Sequence, residues 1–234
     1  MPVAVITGAS KGLGRALAGA LAARGWDLVL DARGAGALKE TAAALEEAYG
    51  VRVAAVPGDV TDAGHRSWLV AAAGELGGVD LLVHNASALG AEPLVPLAGL
   101  PLEGLRRALE VNVVAALGLV QEALPSLRRS EVGAVVAVSS DAAVEAYGTW
   151  GGYGSSKAAL DQLAAVLAVE EPGVRVWAVD PGDMATDLYA AAVPDDDGPR
   201  PDPVSVVPAF LWLLEERPAS GRYTASALLE GAVR

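Results

Sequence analysis

Apolar residues fall along this chain in short, nearly unbroken runs separated by longer segments of helical spacing. The short runs are Val3 to Thr7, Trp26 to Asp31, Val51 to Val56, Val79 to His84, Val132 to Val138 and Val174 to Val179. Runs of this length, rich in Val, Leu and Ala and with little polar alternation, predict strands buried on both faces. The segments Arg15 to Arg24, Ala35 to Tyr49, Ala63 to Leu76, Glu103 to Leu127 and Ala158 to Val169 read as helices, the fourth as one long helix. Gly25 closes the first, and Thr61 or Asp62 caps the third. Pro93 to Pro101 is a proline-rich crossing, and Pro194 to Pro203, with three consecutive aspartates, is the most loop-like segment. Pro208 to Glu216 reads as a last helix and Gly221 to Leu229 holds a last strand. Strict alternation of strand and helix predicts an α/β fold: one doubly wound parallel sheet with helices on both faces, in a single domain over residues 1–234.

Composition narrows the functional classes. Hydrophobic residues make up 53% of 234, enough for a large core and incompatible with a disordered chain. The count of 17 basic against 29 acidic side chains, net −12, argues against nucleic acid as a partner, because phosphate neutralisation needs clustered Lys and Arg. There is no cysteine and there are only two histidines, His65 and His84, so neither a disulfide framework nor a metal site is expected. The N-terminal apolar run has no basic flank and is too short for a signal peptide or a membrane span, so a cytoplasmic protein with no membrane partner is the expectation.

Two stretches carry candidate chemistry. After the first strand comes Gly8-Ala-Ser-Lys-Gly12-Leu-Gly14 and then a helix. A strand, a glycine turn and a helix start together make an anion site, because main-chain N–H groups point outward and glycines let a phosphate approach. Taken by itself, the same spacing also serves a tight turn with packing glycines. The second strand ends in Asp31-Ala32-Arg33, where a dinucleotide fold places the adenosine ribose. A carboxylate there accepts from a free 2′-hydroxyl and an arginine pairs with a 2′-phosphate, so this step alone leaves the cofactor open.

The other stretch runs from Ser139 to Leu160. Tyr153 and Lys157 stand four residues apart, and so project from one face of a helix about one turn apart. An ammonium beside a phenol favours the phenolate, which makes Tyr153 a candidate proton donor and acceptor. Ser139 and Ser140 sit where the preceding strand ends, at the carboxyl edge where open parallel sheets bind ligands. Asn112 lies in an otherwise apolar helical stretch, Leu109 to Val120, either as a bonded core amide or as a functional group.

With these residues in order, the chain resembles the short-chain dehydrogenase/reductase family, in its single-domain, non-extended branch. The resemblance rests on Thr7-Gly8-x-x-x-Gly12-x-Gly14, Asp59-Val60, Asn85-Ala86, Asn112, Ser140, Tyr153-x-x-x-Lys157 and Pro181-Gly182-x-x-x-Thr186. It implies that Gly8, Ser10, Lys11, Gly12, Leu13 and Gly14 hold the pyrophosphate turn, that Asp59 and Val60 contact the adenine, and that Asn85 and Ala86 lie along the adenosine side. It implies Tyr153 as general acid and base, Lys157 as the group that lowers its pKa and holds the nicotinamide ribose, and Ser140 as the carbonyl-orienting serine. Asn112 would hold a water linking Lys157 to solvent, and Pro181, Gly182, Met184 and Thr186 would border the nicotinamide. The family's NAD-selecting aspartate falls at Ala32, while Lys11 and Arg33 match its NADP pattern, so NADP(H) is expected over NAD(H). Asp31 runs against that expectation. Two departures stand out: Ser87 replaces a usual glycine, and the charged Asp141 directly follows Ser140.

The reading is thus an NADP(H)-dependent oxidoreductase interconverting a small-molecule carbonyl and an alcohol, paired as a homodimer or homotetramer through the helices at 103–127 and 151–169. The alternative is a nucleotide-sensing protein of the same fold without turnover, whose mark would be a broken Ser/Tyr/Lys set. Epimerase or dehydratase chemistry on nucleotide sugars usually needs a larger substrate domain. Ser87, Asp141, Tyr147, Thr149, Trp150, Met184 and Tyr189 are the expected pocket lining, and they leave the substrate undefined.

Overall fold

The computed structural model describes residues 1–232. Seven strands form one sheet: β1 (Val3–Ile6), β2 (Asp27–Ala32), β3 (Val53–Pro57), β4 (Leu81–His84), β5 (Ala134–Val138), β6 (Arg175–Asp180) and β7 (Gly221–Thr224). All pairings are parallel, in the order β3-β2-β1-β4-β5-β6-β7. The order reverses beside β1, which opens a crevice between β1 and β4 at the carboxyl edge.

Strand residues alternate between two cores, as the pleat requires. Ile6, Leu30, Val83, Val136 and Val179 face one side, covered by α1 (Gly12–Ala22), α2 (Ala35–Tyr49), α8 (Val207–Glu216) and α9 (Ala225–Ala232). Val5, Val29, Leu82, Val135 and Ala178 face the other, covered by α3 (Ala63–Leu76), α5 (Ala115–Leu127) and α6 (Gly151–Glu170). Burial on both faces is why the strands read as continuous apolar runs.

Two expectations need correction, and one helix is new. The long helix is not uniform: α4 (Leu102–Leu109) passes through a π turn at Glu110–Val114 before α5. A π turn inserts one residue into the ladder and is frequent at functional sites; here it carries Asn112. The last strand ends at Thr224, and the remainder of the expected strand forms α9, which packs on α8 and buries Ala225 and Leu228 in the first core. The segment after Thr186 also contains a short helix, α7 (Asp187–Ala192), capped by the Thr186 hydroxyl accepting from the Tyr189 amide. The stretch Leu102–Leu127 is long and apolar enough by length and composition to cross a membrane; here its inner residues, Leu119 and Ala123 among them, are buried against the sheet.

Candidate active site

A crevice of about 1140 Å³ runs along the carboxyl edge of the sheet. Of the motif and pocket residues singled out from sequence, Thr7, Gly14, Asn112 and Thr149 lie outside its lining, and the rest line it.

At one end the site is made of main chain. The Thr7 hydroxyl accepts from the amides of Asn85 and Ala86 (3.0 and 2.9 Å), locking the ends of β1 and β4 together. Asn85 Nδ2 donates to the carbonyls of Thr7 and Gly8 (2.9 and 3.2 Å), so this side chain shapes the turn with both of its donors. Gly8 has φ +65°, and a Cβ at Gly14 would lie 2.5 Å from the Gly8 carbonyl oxygen. The turn therefore closes against the helix start only without side chains. No side chain caps α1, so its first amides face the crevice unpartnered by protein side chains. This cradle fits a pyrophosphate, and the crevice is large enough for a dinucleotide.

Charges flank this end in pairs. Asp59 accepts from the Thr61 amide and hydroxyl and from Arg107 (3.0, 2.8 and 2.8 Å). Burial pushes the Asp59 carboxyl up, but Thr61 and Arg107 outweigh it and hold the pKa at about 2. Arg107, from α4, lines the crevice; nothing in its sequence context marked it. Lys11 pairs with Asp187 at the start of α7, both exposed, whereas among the described residues Arg33 has no ion pair. Asp31 is 2% exposed, and His65 Nε2–H donates to it at 2.7 Å.

The other end is made of buried side chains. Beyond β5, the Ser140 hydroxyl donates to Asp141 Oδ1 at 3.0 Å and accepts from the Ala142 amide at 3.2 Å. Arg222 of β7 donates to the Ser140 carbonyl at 2.9 Å and so fixes the main chain there, a contact without a local sequence signal. Tyr153 and Lys157 project from α6 with exposures of 5% and 1%. Lys157 Nζ donates to the Val138 carbonyl at 2.7 Å and lies 5.4 Å from the centre of the Tyr153 ring.

The electrostatics differ from the expectation that Lys157 lowers the tyrosine pKa. With protein groups alone, burial pushes the Tyr153 phenol well above its ordinary value; the Ser87 and Ser140 hydroxyls oppose this, and the charges of Asp141 and Asp180 add to it. Burial also lowers Lys157, to about 8, with Asp161 opposing. Desolvation outweighs charge pairing because both side chains, although they line the crevice, are almost wholly buried by protein.

The Asn112 side chain is held by protein groups on every side. Its Oδ1 accepts from the Ala88 amide (2.8 Å) and the Ser87 hydroxyl (3.2 Å), and its Nδ2 donates to the Ala88 carbonyl (2.9 Å) and Ser156 Oγ (2.7 Å). The amide joins the loop after β4 to α6, and among the described residues it makes no hydrogen bond to Lys157. Ser87, the departure from glycine, donates to Asn112 and stands close enough to the phenol to pull its pKa down. Pro181, Gly182, Met184 and Thr186 close the side of the crevice beyond β6, with the Gly182 amide donating to Asp180 at 2.9 Å. Tyr189 donates to Asp196 at 2.8 Å and accepts from Arg200 at 2.6 Å, rimming the same end.

A sequence profile of the short chain dehydrogenase family matches residues 2–197. The chain belongs to that family. Among its relatives, this dehydrogenase is 38% identical over 189 residues to an uncharacterized oxidoreductase of Saccharomyces cerevisiae, covering 80% of this chain and 72% of that one. It is 32% identical over 243 residues to the rhamnolipids biosynthesis 3-oxoacyl-[acyl-carrier-protein] reductase of Pseudomonas aeruginosa, covering 99% and 93%. Its fold matches the alcohol dehydrogenase of the archaeon Thermococcus sibiricus complexed with 5-hydroxy-NADP, with TM-score 0.87, 29% identity and 96% and 95% coverage. It also matches a short chain dehydrogenase of Shigella flexneri complexed with NADP, with TM-score 0.89, 27% identity and 96% and 97% coverage.

Proposed function

We propose that this oxidoreductase is an NADP(H)-dependent carbonyl reductase that interconverts a small-molecule ketone and a secondary alcohol. The observation that carries the reading is a buried phenol, Tyr153, beside Lys157 at one end of a crevice whose other end is a side-chain-free phosphate cradle. Bound there, the cofactor supplies the hydride. Tyr153 donates its proton to the carbonyl oxygen as charge develops on it, and takes a proton back in the alcohol-oxidising direction. The Ser140 hydroxyl, held by the Ala142 amide, turns its single proton from Asp141 Oδ1 to the same oxygen and steadies the oxyanion. Lys157 offers an ammonium to the nicotinamide ribose and to the proton route past the π turn.

Three observations support NADP(H) over NAD(H). Ala32 carries no carboxylate where one would select NAD, Arg33 has no ion pair among the described residues, and the Thermococcus and Shigella structures hold NADP forms. Lys11 can join Arg33, because its partner Asp187 is an exposed contact that a phosphate can displace. We further propose a homodimer or homotetramer through the outer faces of α5 and α6, where Leu117, Val166 and Val169 are 40%, 42% and 80% exposed.

The test is Tyr153→Phe assayed by NADPH consumption over a panel of ketones. Turnover falls by about 10²–10⁴, while NADP⁺ affinity by calorimetry stays within about twofold. Equal turnover in mutant and wild type removes Tyr153 from the reaction. NADP⁺ binding with no turnover of any ketone by the wild type removes the reductase reading.

A further inference from the structure

Asp31 lines the crevice at its adenosine end, where a free carboxylate would accept from a ribose 2′-hydroxyl and repel a 2′-phosphate. In the structure this carboxyl is engaged by another side chain. In β2, Leu30 and Ala32 face one core, so Asp31 points with Val29 to the α3 side of the sheet. There His65, in the first turn of α3, meets it at 2.7 Å, with exposures of 7% for the ring and 2% for the carboxyl. Burial pushes the Asp31 pKa up to about 6, with the His65 ring and the Gly8 amide pulling it down and the Asp59 charge adding to the rise. The third member of this arrangement is Gly58, at the end of β3. A Cβ there would lie 2.3 Å from His65 Nδ1, so the ring reaches Asp31 only because residue 58 has no side chain. The nearby carboxylate, Asp59, is occupied by Thr61 and Arg107, which leaves His65 as the only side chain bonded to Asp31 among the described residues.

We propose that His65 is a positioning residue that sets cofactor choice: by holding the Asp31 carboxyl beneath the Gly8 turn, it keeps a carboxylate off the ribose end of the crevice and lets Arg33 and Lys11 select a 2′-phosphate. The proposal rests on the NADP(H) reading above. Without His65, Asp31 is a buried carboxyl stripped of its side-chain partner, and its route to solvation is the crevice it lines. A carboxylate emerging there meets a 2′-phosphate as a like charge.

The experiment measures dissociation constants of NADP⁺ and NAD⁺ by calorimetry at pH 8 for wild type, His65→Leu, Asp31→Asn and the double variant, each checked for a cooperative melt. The wild type binds NADP⁺ more tightly. His65→Leu lowers the NADP⁺-to-NAD⁺ affinity ratio about tenfold or more, and adding Asp31→Asn returns it to within about twofold of wild type. A loss of binding caused only by distortion would weaken both cofactors together and would not be rescued by removing the Asp31 charge. If His65→Leu does not fold, Gly58→Ala displaces the ring instead and shifts the ratio in the same direction. A wild type that prefers NADP⁺ together with an unmoved ratio in the folded variants overturns the proposal alone. A wild type that prefers NAD⁺ overturns the NADP(H) reading and the proposal with it.

Discussion

The two ends of the crevice are built from different materials. The phosphate end is a glycine turn and a helix start, and apart from Arg33 the charges named around it lie in pairs: Asp59 with Arg107, Asp31 with His65, Lys11 with Asp187. The reacting end is built from Tyr153, Lys157, Asn112 and His84, none more than 5% exposed. Main-chain amides bind an anion without titrating and without being removed from a partner. Buried phenol, ammonium, amide and imidazole groups each lose solvation, and only bonds to neighbours offset that loss. The difference implies that the phosphate end fails by steric intrusion and the reacting end by unpaired polarity.

The largest effect expected from this contrast is at Asn112. Its amide makes four hydrogen bonds that tie the Ser87–Ala88 loop to Ser156 of α6. Asn112→Ala leaves the Ala88 amide and carbonyl and the Ser156 hydroxyl short of a buried partner, at a cost of about 3 kcal/mol in urea unfolding. Turnover falls as well, because the loop that carries Ser87 toward the phenol loses its anchor. A loss below about 1 kcal/mol would show that water replaces the amide and that the reacting end is less sealed than its burial implies.

Gly14→Ala is the matching change at the phosphate end. The new Cβ meets main chain, the Gly8 carbonyl at 2.5 Å, which cannot rotate away as a side-chain tip could. The expected cost is about 1–3 kcal/mol of stability, with NADP⁺ affinity reduced about tenfold or more as the turn shifts. Gly19, in the same helix, is the control: its nearest neighbour would be a Leu45 methyl at 3.9 Å, so Gly19→Ala stabilises by about 0.5–1 kcal/mol. If both variants behave alike, helix propensity rather than close approach explains Gly14.

What the sequence revealed follows the range over which each feature is set. The glycine turn and the Tyr153–Lys157 pair depend on residues within seven and four positions of each other, and both stand where their spacing put them. Continuous apolar runs exposed the parallel sheet because two-sided burial leaves no alternation to misread. The direction of the Tyr153 shift is hidden, because the burial that decides it comes from the Ser87 loop, far from α6 in sequence, and from the 141–143 turn, whose packing on the ring no local pattern fixes. The same holds for the bond between His65 and Asp31, 34 residues apart, and for the hold of Arg222 on Ser140, 82 residues apart. The π turn at Asn112 has no distinct residue pattern, since its residues are as apolar as the helix on either side. α9 was misread as strand because a short apolar run after β7 fits either state until its packing on α8 is known.

The smallest effect is a pH dependence, and it separates the two ends by titration rather than by mutation alone. His84, at the end of β4, is 2% exposed, and its ring nitrogens have no hydrogen-bond partner among the described residues. Burial, with the Lys157 charge adding to it and the nearby Val111 main chain opposing, lowers its pKa to about 3. An unfolded histidine titrates near 6.5, so between the two values the unfolded chain binds a proton that the native chain refuses. Stability contributed by His84 is therefore complete above about pH 6.5 and is lost as pH falls toward 3, amounting to about 2 kcal/mol at pH 5. Asp59 at the phosphate end, held at about 2, acts in the same direction only below about pH 4. Asp31, raised to about 6, acts oppositely: its contribution is present below about pH 4 and lost as pH rises through 6. Urea midpoints for wild type and His84→Asn between pH 5 and 7.5 subtract these shared terms, because both carboxylates remain in the variant. The wild type loses about 2 kcal/mol more than the variant on going from pH 7.5 to 5. Parallel curves would mean that the native chain admits the His84 proton, which requires a partner or water at the ring and places solvent beneath Lys157, where the burial of the reacting end excludes it.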